Sequence, residues 1–304
     1  VQSRAPEYSG SPELPLVASP ALSALAGEPA PVAATGSATT VAPSLVPRLP
    51  GTPDLTKEGL YSFAGGGLEL VVDPRSGSAV RLALDGKDAL IAPATKPENY
   101  TPELEGSTLV LRAGGPAGTR PSADGGVTKR FRLDTARRSV EITYTLANST
   151  SAPLHVSVAE VHRVASGAGL TFFPGTPKLL PGSTLKLNVW QPIVWFAHDQ
   201  AYEPKAVEAT VESLEGWVAS VNDGMVLIKV VTDASHAIVS IASAYDAATR
   251  RRPWVEVGTK SSVEVSPRAS ATCNVRLFLR KLPPNLATKP GNQELVGFVR
   301  GIIQ

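Results

Sequence analysis

The sequence predicts an all-β chain: a large antiparallel β-sandwich, preceded by an extended Pro-rich arm and followed by a short C-terminal helix. Three observations carry this. From about residue 58, apolar and polar residues alternate in short runs separated by Gly, Pro, Asn and Asp, the period-two pattern of half-buried strands. The first 55 residues have a different texture, with ten prolines and a single aromatic, Tyr8. Apolar residues recur at helical spacing only near the end, in Gln293–Ile303. These shifts divide the chain into an arm over 1–57, a sandwich over 58–283 and a tail over 284–304.

The arm cannot bury enough apolar surface to offset its ordering entropy, so an extended, partly polyproline conformation is expected. Such a segment is suited to engage a protein partner or a neighbouring subunit. In the sandwich, Leu68–Asp73, the Pro74-Arg-Ser-Gly77 turn, Ser78–Leu84, Asp85-Gly86 and Ala89–Ile91 predict a three-stranded meander. Further strands are expected at 107–113, 127–133, 139–146, 155–163, 185–189, 194–197, 207–213, 217–221, 225–232, 237–244, 254–257, 263–266 and 272–281. In Val140–Leu146 the even positions are apolar and the odd ones polar, which places one face on a core. Trp217–Val221, Asn222-Asp223-Gly224 and Met225–Lys229 read as a hairpin, because Asn-Asp-Gly supplies the positive-φ positions of a tight turn. In the tail helix Asn292 is the expected N-cap, and Leu295, Val299 and Ile302 share a face. Gly297 and Gly301 weaken this helix in isolation, so it is expected to dock on its own domain.

Composition excludes several classes. A net charge of +2 over 304 residues leaves no electrostatic footprint for nucleic acid, and Arg250-Arg251-Arg252 reads as a solvated loop. The lone Cys273, on an alternating strand, excludes an intrachain disulfide or a cysteine zinc site. No apolar run approaches the roughly 18 residues that span a bilayer. The first residue is Val1 and the only methionine is Met225; with the Ala/Ser/Thr/Pro-rich leader, this points to an exported, periplasmic or extracellular bacterial protein whose signal peptide has been removed. Asn148-Ser149-Thr150 reads as a chance sequon. No His-x-His, His-x3-His or Asp-x-Asp-x-Asp spacing occurs, so neither a metal nor another cofactor is expected. A Gly-x-Ser-x-Gly elbow is missing, and Gly65-Gly66-Gly67 and Gly114-Gly115 read as turns rather than phosphate loops.

A sugar presents an apolar C–H face and a rim of hydroxyls, so its site needs an aromatic platform ringed by polar groups. Trp190, Trp195, Trp217 and Trp254 are candidate platforms, or else core residues bridging the sheets. Lys229, Arg252, Glu256, His198 and Asp199 are candidates for the rim. Among the histidines, His198 follows Trp195 in a loop and is the strongest functional candidate. His162 shares a face with Glu160 and Val164, which suits a structural or surface role, and His155 and His236 read as solvated.

Gly67–Leu82, followed by Asp85-Gly86, resembles the opening hairpin of galactose mutarotase-like proteins. Val158–Pro174, the hairpin at Gly216–Lys229, and Trp254–Gly258 before Val265-Ser-Pro267 resemble more narrowly an uncharacterised bacterial branch of that superfamily, the DUF4380-type domains. The likeness covers about residues 59–282 and rests on the order of these segments. It implies a β-supersandwich whose concave sheet binds hexoses in relatives. In aldose 1-epimerases a late glutamate takes the anomeric proton and a histidine protonates the ring oxygen. The resemblance places Glu256 at the glutamate, whereas the Asn-rich His-Thr-Tyr-Phe and Ser-His contexts are absent. Two functions therefore stand: a non-catalytic carbohydrate-binding or assembly protein, and an epimerase with Glu256 as general base.

Overall fold

The computed structural model describes residues 49–90, 100–113, 125–165, 169–175, 188–190, 193–198, 207–232, 237–243, 254–286 and 293–304. Most of the Pro-rich arm, together with Asp199, His236, Arg252, Asn292 and most of the strand expected at 185–189, lies outside the described residues. Pro47–Gln304 form one compact unit.

The chain is all-β, as its alternation predicts. Its first five strands form a meander: β1 (Asp54–Leu55), β2 (Tyr61–Gly65), β3 (Leu68–Asp73), β4 (Ser78–Leu84) and β5 (Lys87–Asp88). Next come β6 (Tyr100–Glu105), β7 (Thr108–Ala113), β8 (Gly125–Asp134), β9 (Ser139–Asn148), β10 (Leu154–Ala165), β11 (Leu170–Pro174), β12 (Asn188–Trp190) and β13 (Ile193–Ala197). The remainder are β14 (Val207–Ser213), β15 (Trp217–Asn222), β16 (Met225–Val231), β17 (Ala237–Ser243), β18 (Trp254–Val265), β19 (Ser270–Lys281) and the helix α1 (Gln293–Ile303). A ten-stranded sheet runs β12-β13-β11-β15-β16-β19-β9-β8-β7-β6, and a four-stranded sheet runs β10-β18-β17-β14.

Two differences from the sequence reading have simple causes. The expected strands at 254–257 and 263–266 are one strand, β18, because Gly258-Thr-Lys-Ser-Ser262 contains no turn and pairs with β10 along its whole length. β1, β2, β6 and β11 are additional, and the meander's strand expected at Ala89–Ile91 lies earlier, as β5 at Lys87–Asp88, directly after the Asp85-Gly86 turn. Gly-Gly in β2's turn and Pro102 in β6 obscured two of them, since Pro is tolerated on an edge strand such as β6.

Alternation builds the core. One face of the large sheet, through Leu109, Leu111, Phe131, Val140 and Ile142, packs against Phe63, Leu70 and Leu82 of the meander and against Val158, Val164, Val239, Ile241 and Val257 of the four-stranded sheet. On its other face a second core forms under α1, where Leu295, Val296 and Val299 meet Phe172, Trp217, Ile228 and Phe278. The helix thus docks on its own domain, covering Trp217. The β15–β16 turn has the expected chemistry: Asp223 and Gly224 both take positive φ, 49° and 72°, as a two-residue hairpin of this hand requires.

Asn148 of the sequon is buried. Its Nδ2 donates to the carbonyls of Ala152, Val265 and Ser266 at 2.8, 3.0 and 3.2 Å, and its Oδ1 accepts from the Thr150 N–H and hydroxyl at 3.0 and 2.7 Å. The side chain ties the β9–β10 connection to the end of β18. Asn148→Ala is expected to destabilise the fold by about 2 kcal/mol, because it leaves the buried Val265 carbonyl and its part-buried neighbours without their partner. Chemical denaturation checks this, and a loss under about 0.5 kcal/mol would show the bonds to be replaceable by water.

Candidate binding groove and its buried charge cluster

β10 is the edge of its sheet, paired only with β18 among the described strands. A cavity of about 530 Å³ follows that free edge. One wall is Val156–Val161 of β10; the facing wall is the β3–β4 turn, Ser76-Gly77-Ser78, with Tyr100 of β6; the floor is formed by β7, β8 and β9. The groove is therefore the seam where the two smaller sheets meet over the large one.

The backbone of β10 contributes polar groups to this seam. Lys229 Nζ donates to the carbonyls of Glu160 and Val257, both at 2.8 Å, and so reaches the space between β10 and β18. Ala165, on the other parity, turns its carbonyl to Asn222 Nδ2 at 2.7 Å. Antiparallel alternation then directs the N–H and C=O groups of Ser157, Ala159 and Val161 to the unpaired side.

Behind the groove lies a set of buried ionisable side chains. Lys129 of β8 and Glu160 of β10 form an ion pair at 2.7 Å, and both line the cavity. Tyr144 of β9 donates its hydroxyl to the same Glu160 oxygen, Oε2. The Lys129 ammonium also lies 4.9 and 5.0 Å from the centroids of the Phe131 and Tyr144 rings, a stabilising cation–π arrangement. Burial alone would push the Glu160 carboxyl upward. The Lys129 charge and the two donated hydrogen bonds outweigh burial and hold the carboxyl below the usual carboxylate range. A carboxylate so held is a weak base, so Glu160 positions Lys129 and Tyr144 rather than taking protons from a substrate.

His162, two residues along β10, is fully buried on the same inner face. Its Nε2 is 3.3 Å from Glu160 Oε1, yet the direction does not make a hydrogen bond and both ring nitrogens are without one. Burial and the Lys229 charge lower its pKa to about 3, so the ring is neutral at pH 7. Lys229 is lowered to about 7, chiefly by burial.

The residues singled out in the sequence are dispersed. Trp217 and Lys229 share one hairpin but face opposite ways, because Val218 rather than Trp217 is the register partner of Lys229. Trp217 is fully buried under α1, edge-on to Phe172, with its indole N–H on Glu215 at 2.9 Å. Trp195 is half-buried against that second core, and Trp190 lies on β12 with its side chain outside the described residues. Trp254 is half-buried on the outer face of the four-stranded sheet, and the Arg163 guanidinium stacks 3.9 Å from its ring centroid. Glu256 lies on the same outer face, reaches the groove, and accepts from Arg163 Nε at 3.0 Å.

His198 is buried elsewhere, where Nε2 meets Thr171 Oγ1 at 2.9 Å and Thr171 in turn meets Ser220 Oγ at 2.9 Å. Burial lowers its pKa to about 4. Glu256 and His198 are thus not brought together, and among the described residues no histidine hydrogen-bonds to Glu256. His155 is exposed near the start of β10.

Lys129, Tyr144 and Tyr100 were not identified from the sequence as site residues. For Lys129 a signal existed: it shares parity with Val127, Phe131 and Leu133, so a charge sits where the alternation calls for an apolar residue. Glu160 and His162 interrupt the run from Val158 to Val164 in the same way.

These buried groups fix the pH dependence. His162 and His198 titrate near 6.5 when unfolded and at about 3 and about 4 when folded. Between pH 6.5 and 4 the unfolded chain therefore binds more protons, and stability falls as pH falls. Glu160 acts in the same direction lower down, since its depressed folded pKa contributes stability that is lost below its unfolded value. Lys229, lowered when folded, makes stability rise with pH from about 7 toward its unfolded value. Melting temperature is expected to drop between pH 7 and 4.5, with a shallower drop in His162→Leu. A flat profile would contradict the neutral, buried state of both rings.

No protein-family model matches this chain, and neither does any curated protein. Solved structures do match. A candidate aldose 1-epimerase from Escherichia coli K12 is 12% identical, with a TM-score of 0.53 over 73% of this chain and 99% of that one. A galactose mutarotase-like protein from Lactobacillus casei is 9% identical, with a TM-score of 0.51 over 73% of this chain and 100% of the other. A galactose mutarotase related enzyme from Lactobacillus acidophilus is also 9% identical, with a TM-score of 0.54 over 74% and 98% of the two chains. At such identities the likeness shows the fold. This chain has the galactose mutarotase-like β-sandwich fold.

Proposed function

We propose that this is a non-catalytic carbohydrate-binding protein on a mutarotase-like sandwich, with its sugar in the groove along the free edge of β10. The observation that carries the reading is a cavity of about 530 Å³, a size suited to a small sugar, whose polar wall is immobilised by the Lys129–Glu160–Tyr144 set. Tyr100 supplies an aromatic face, and the serines and free edge of β10 supply partners for hydroxyls. Catalysis is disfavoured because the two sequence candidates for acid and base, His198 and Glu256, occupy separate regions, and Glu256 is engaged by Arg163.

The second reading, an aldose 1-epimerase with Glu256 as general base, is favoured by one observation: Glu256 reaches the groove. Anomer equilibration of glucose and galactose followed by polarimetry separates the two. The non-catalytic reading expects no acceleration over buffer, and an acceleration abolished in Glu256→Gln would overturn it.

The proposal extends to the arm, residues 1–57, as the element that engages a partner or neighbouring subunit, in keeping with its Pro-rich composition. Its support is the sequence alone, as is that for export and for the narrower DUF4380-type kinship. No described helix is long and apolar enough to cross a membrane. Deleting residues 1–48 and measuring mass by light scattering tests the latch in self-assembly. A pure homo-oligomer latch expects fewer subunits per particle, and an unchanged subunit number would remove that role.

A further inference from the structure

Among the described residues the charges behind the groove do not balance, and the imbalance points to a ligand class. Beside the turn wall, Asp73 and Arg75 pair at 3.0 Å. Lys129 comes from β8 and Lys229 from β16, and both are buried; the Glu160 carboxylate of β10 pairs with Lys129, while Lys229 takes the Glu160 backbone carbonyl. Arg163 and Glu256, on the outer face, neutralise each other at 3.0 Å. His162, its pKa lowered by burial, and Tyr144, its pKa raised by burial, carry no charge at neutral pH. When Lys229 is protonated, the described groups behind the wall are two buried ammonium groups and one carboxylate, which leaves one positive charge there.

That charge is accessible to a ligand through Lys129. Its ammonium donates to Glu160 Oε2 and lies against the Phe131 and Tyr144 rings, and the residue lines the cavity. Glu160 cannot swing to serve both lysines, because Oε2 is also fixed by the Tyr144 hydroxyl and Lys229 is held by the Glu160 and Val257 carbonyls. A desolvated cation gains most from an anion that brings its own hydrogen-bond acceptors.

We propose that the groove selects a sugar bearing a single carboxylate, a uronic acid, with that carboxylate against Lys129 and its hydroxyls on the serines and free backbone groups of β10. This rests on the carbohydrate reading above and sharpens it. Lys229 is a positioning residue here: it does not line the groove, and it contributes the excess charge from behind.

The test uses the full chain and near-isosteric pairs, glucuronate with glucuronamide and galacturonate with galacturonamide, titrated calorimetrically at low and high salt near pH 6.5. The acid of at least one pair is expected to bind about tenfold more tightly than its amide, a charge-assisted hydrogen bond's worth of preference. Lys229→Met is expected to reduce that preference to within about threefold while amide binding persists, since it removes the excess charge and leaves the wall in place. If that variant does not fold, the comparison of acid with amide in the parent chain still decides the matter. Amides that bind as well as the acids, or better, would overturn the selectivity and leave carbohydrate binding standing. No binding by either member of both pairs would overturn the carbohydrate reading and the selectivity together.

Discussion

Glu160→Gln is expected to destabilise the protein by about 3–5 kcal/mol, the cost of leaving a buried cation without its counter-charge. The partner is Lys129, which is buried at the groove floor and has Glu160 as its only carboxylate within ion-pair distance among the described residues. The amide keeps the shape and one acceptor for Tyr144, so the loss isolates charge from packing. Lys229 is affected as well, because the Glu160 charge supports its protonated form. The double variant Glu160→Gln/Lys129→Met should recover much of the loss, since replacing a buried pair by apolar groups is often neutral or stabilising. Urea unfolding of the four proteins in the cycle measures the coupling directly. A single Glu160→Gln cost below about 1 kcal/mol would mean that water reaches the pair.

Gly77→Val is expected to remove most sugar affinity, by about tenfold or more, and to cost about 2 kcal/mol of stability. Gly77 sits in the turn between β3 and β4 with φ 62°, a region that β-branched residues avoid. A Cβ placed there would come within 2.5 Å of the Tyr100 ring. Both residues line the groove, so the ring must move from the wall that faces β10. Isothermal titration with the best-bound sugar, alongside a thermal melt, separates the two effects. Unchanged affinity in a destabilised variant would place the ligand somewhere other than this seam.

How far the sequence could be read follows from where each kind of information resides. Val140–Leu146 announces its own face, because burial alternates with each residue and needs no knowledge of the partner strand. Asp223-Gly224 likewise specifies its turn from local backbone preference. The site is different in kind. Lys129, Tyr144, Glu160 and Lys229 lie on four strands separated by up to a hundred positions in the chain, and their meeting depends on how the four-stranded sheet is laid over the large one. Local patterns cannot encode that overlay.

The tryptophans depend on the overlay in the same way. Trp217 reads as a platform because it is large and flanks a hairpin, yet it faces the side that α1 covers, and the docking of a helix some 75 residues away is not visible in the hairpin. Glu256 and His198 illustrate the converse. Each is a reasonable catalytic type in isolation, but β18 presents Glu256 to Arg163, and the end of β13 turns His198 to Thr171. The legible clue was a charge on the apolar parity of a strand. Lys129 between Val127 and Phe131, and Glu160 between Val158 and Val164, break the pattern where a buried polar group must be paired.

The central claim, a sugar-binding groove without chemistry, is tested most directly by one proton NMR measurement of the full chain with excess anomeric sugar, using glucuronate and galacturonate. The account predicts saturation transfer from protein to sugar, strongly reduced in Gly77→Val, with no exchange between the α and β anomeric resonances beyond that in buffer. Protein-dependent exchange between the anomers, or saturation transfer undiminished in Gly77→Val, would contradict it.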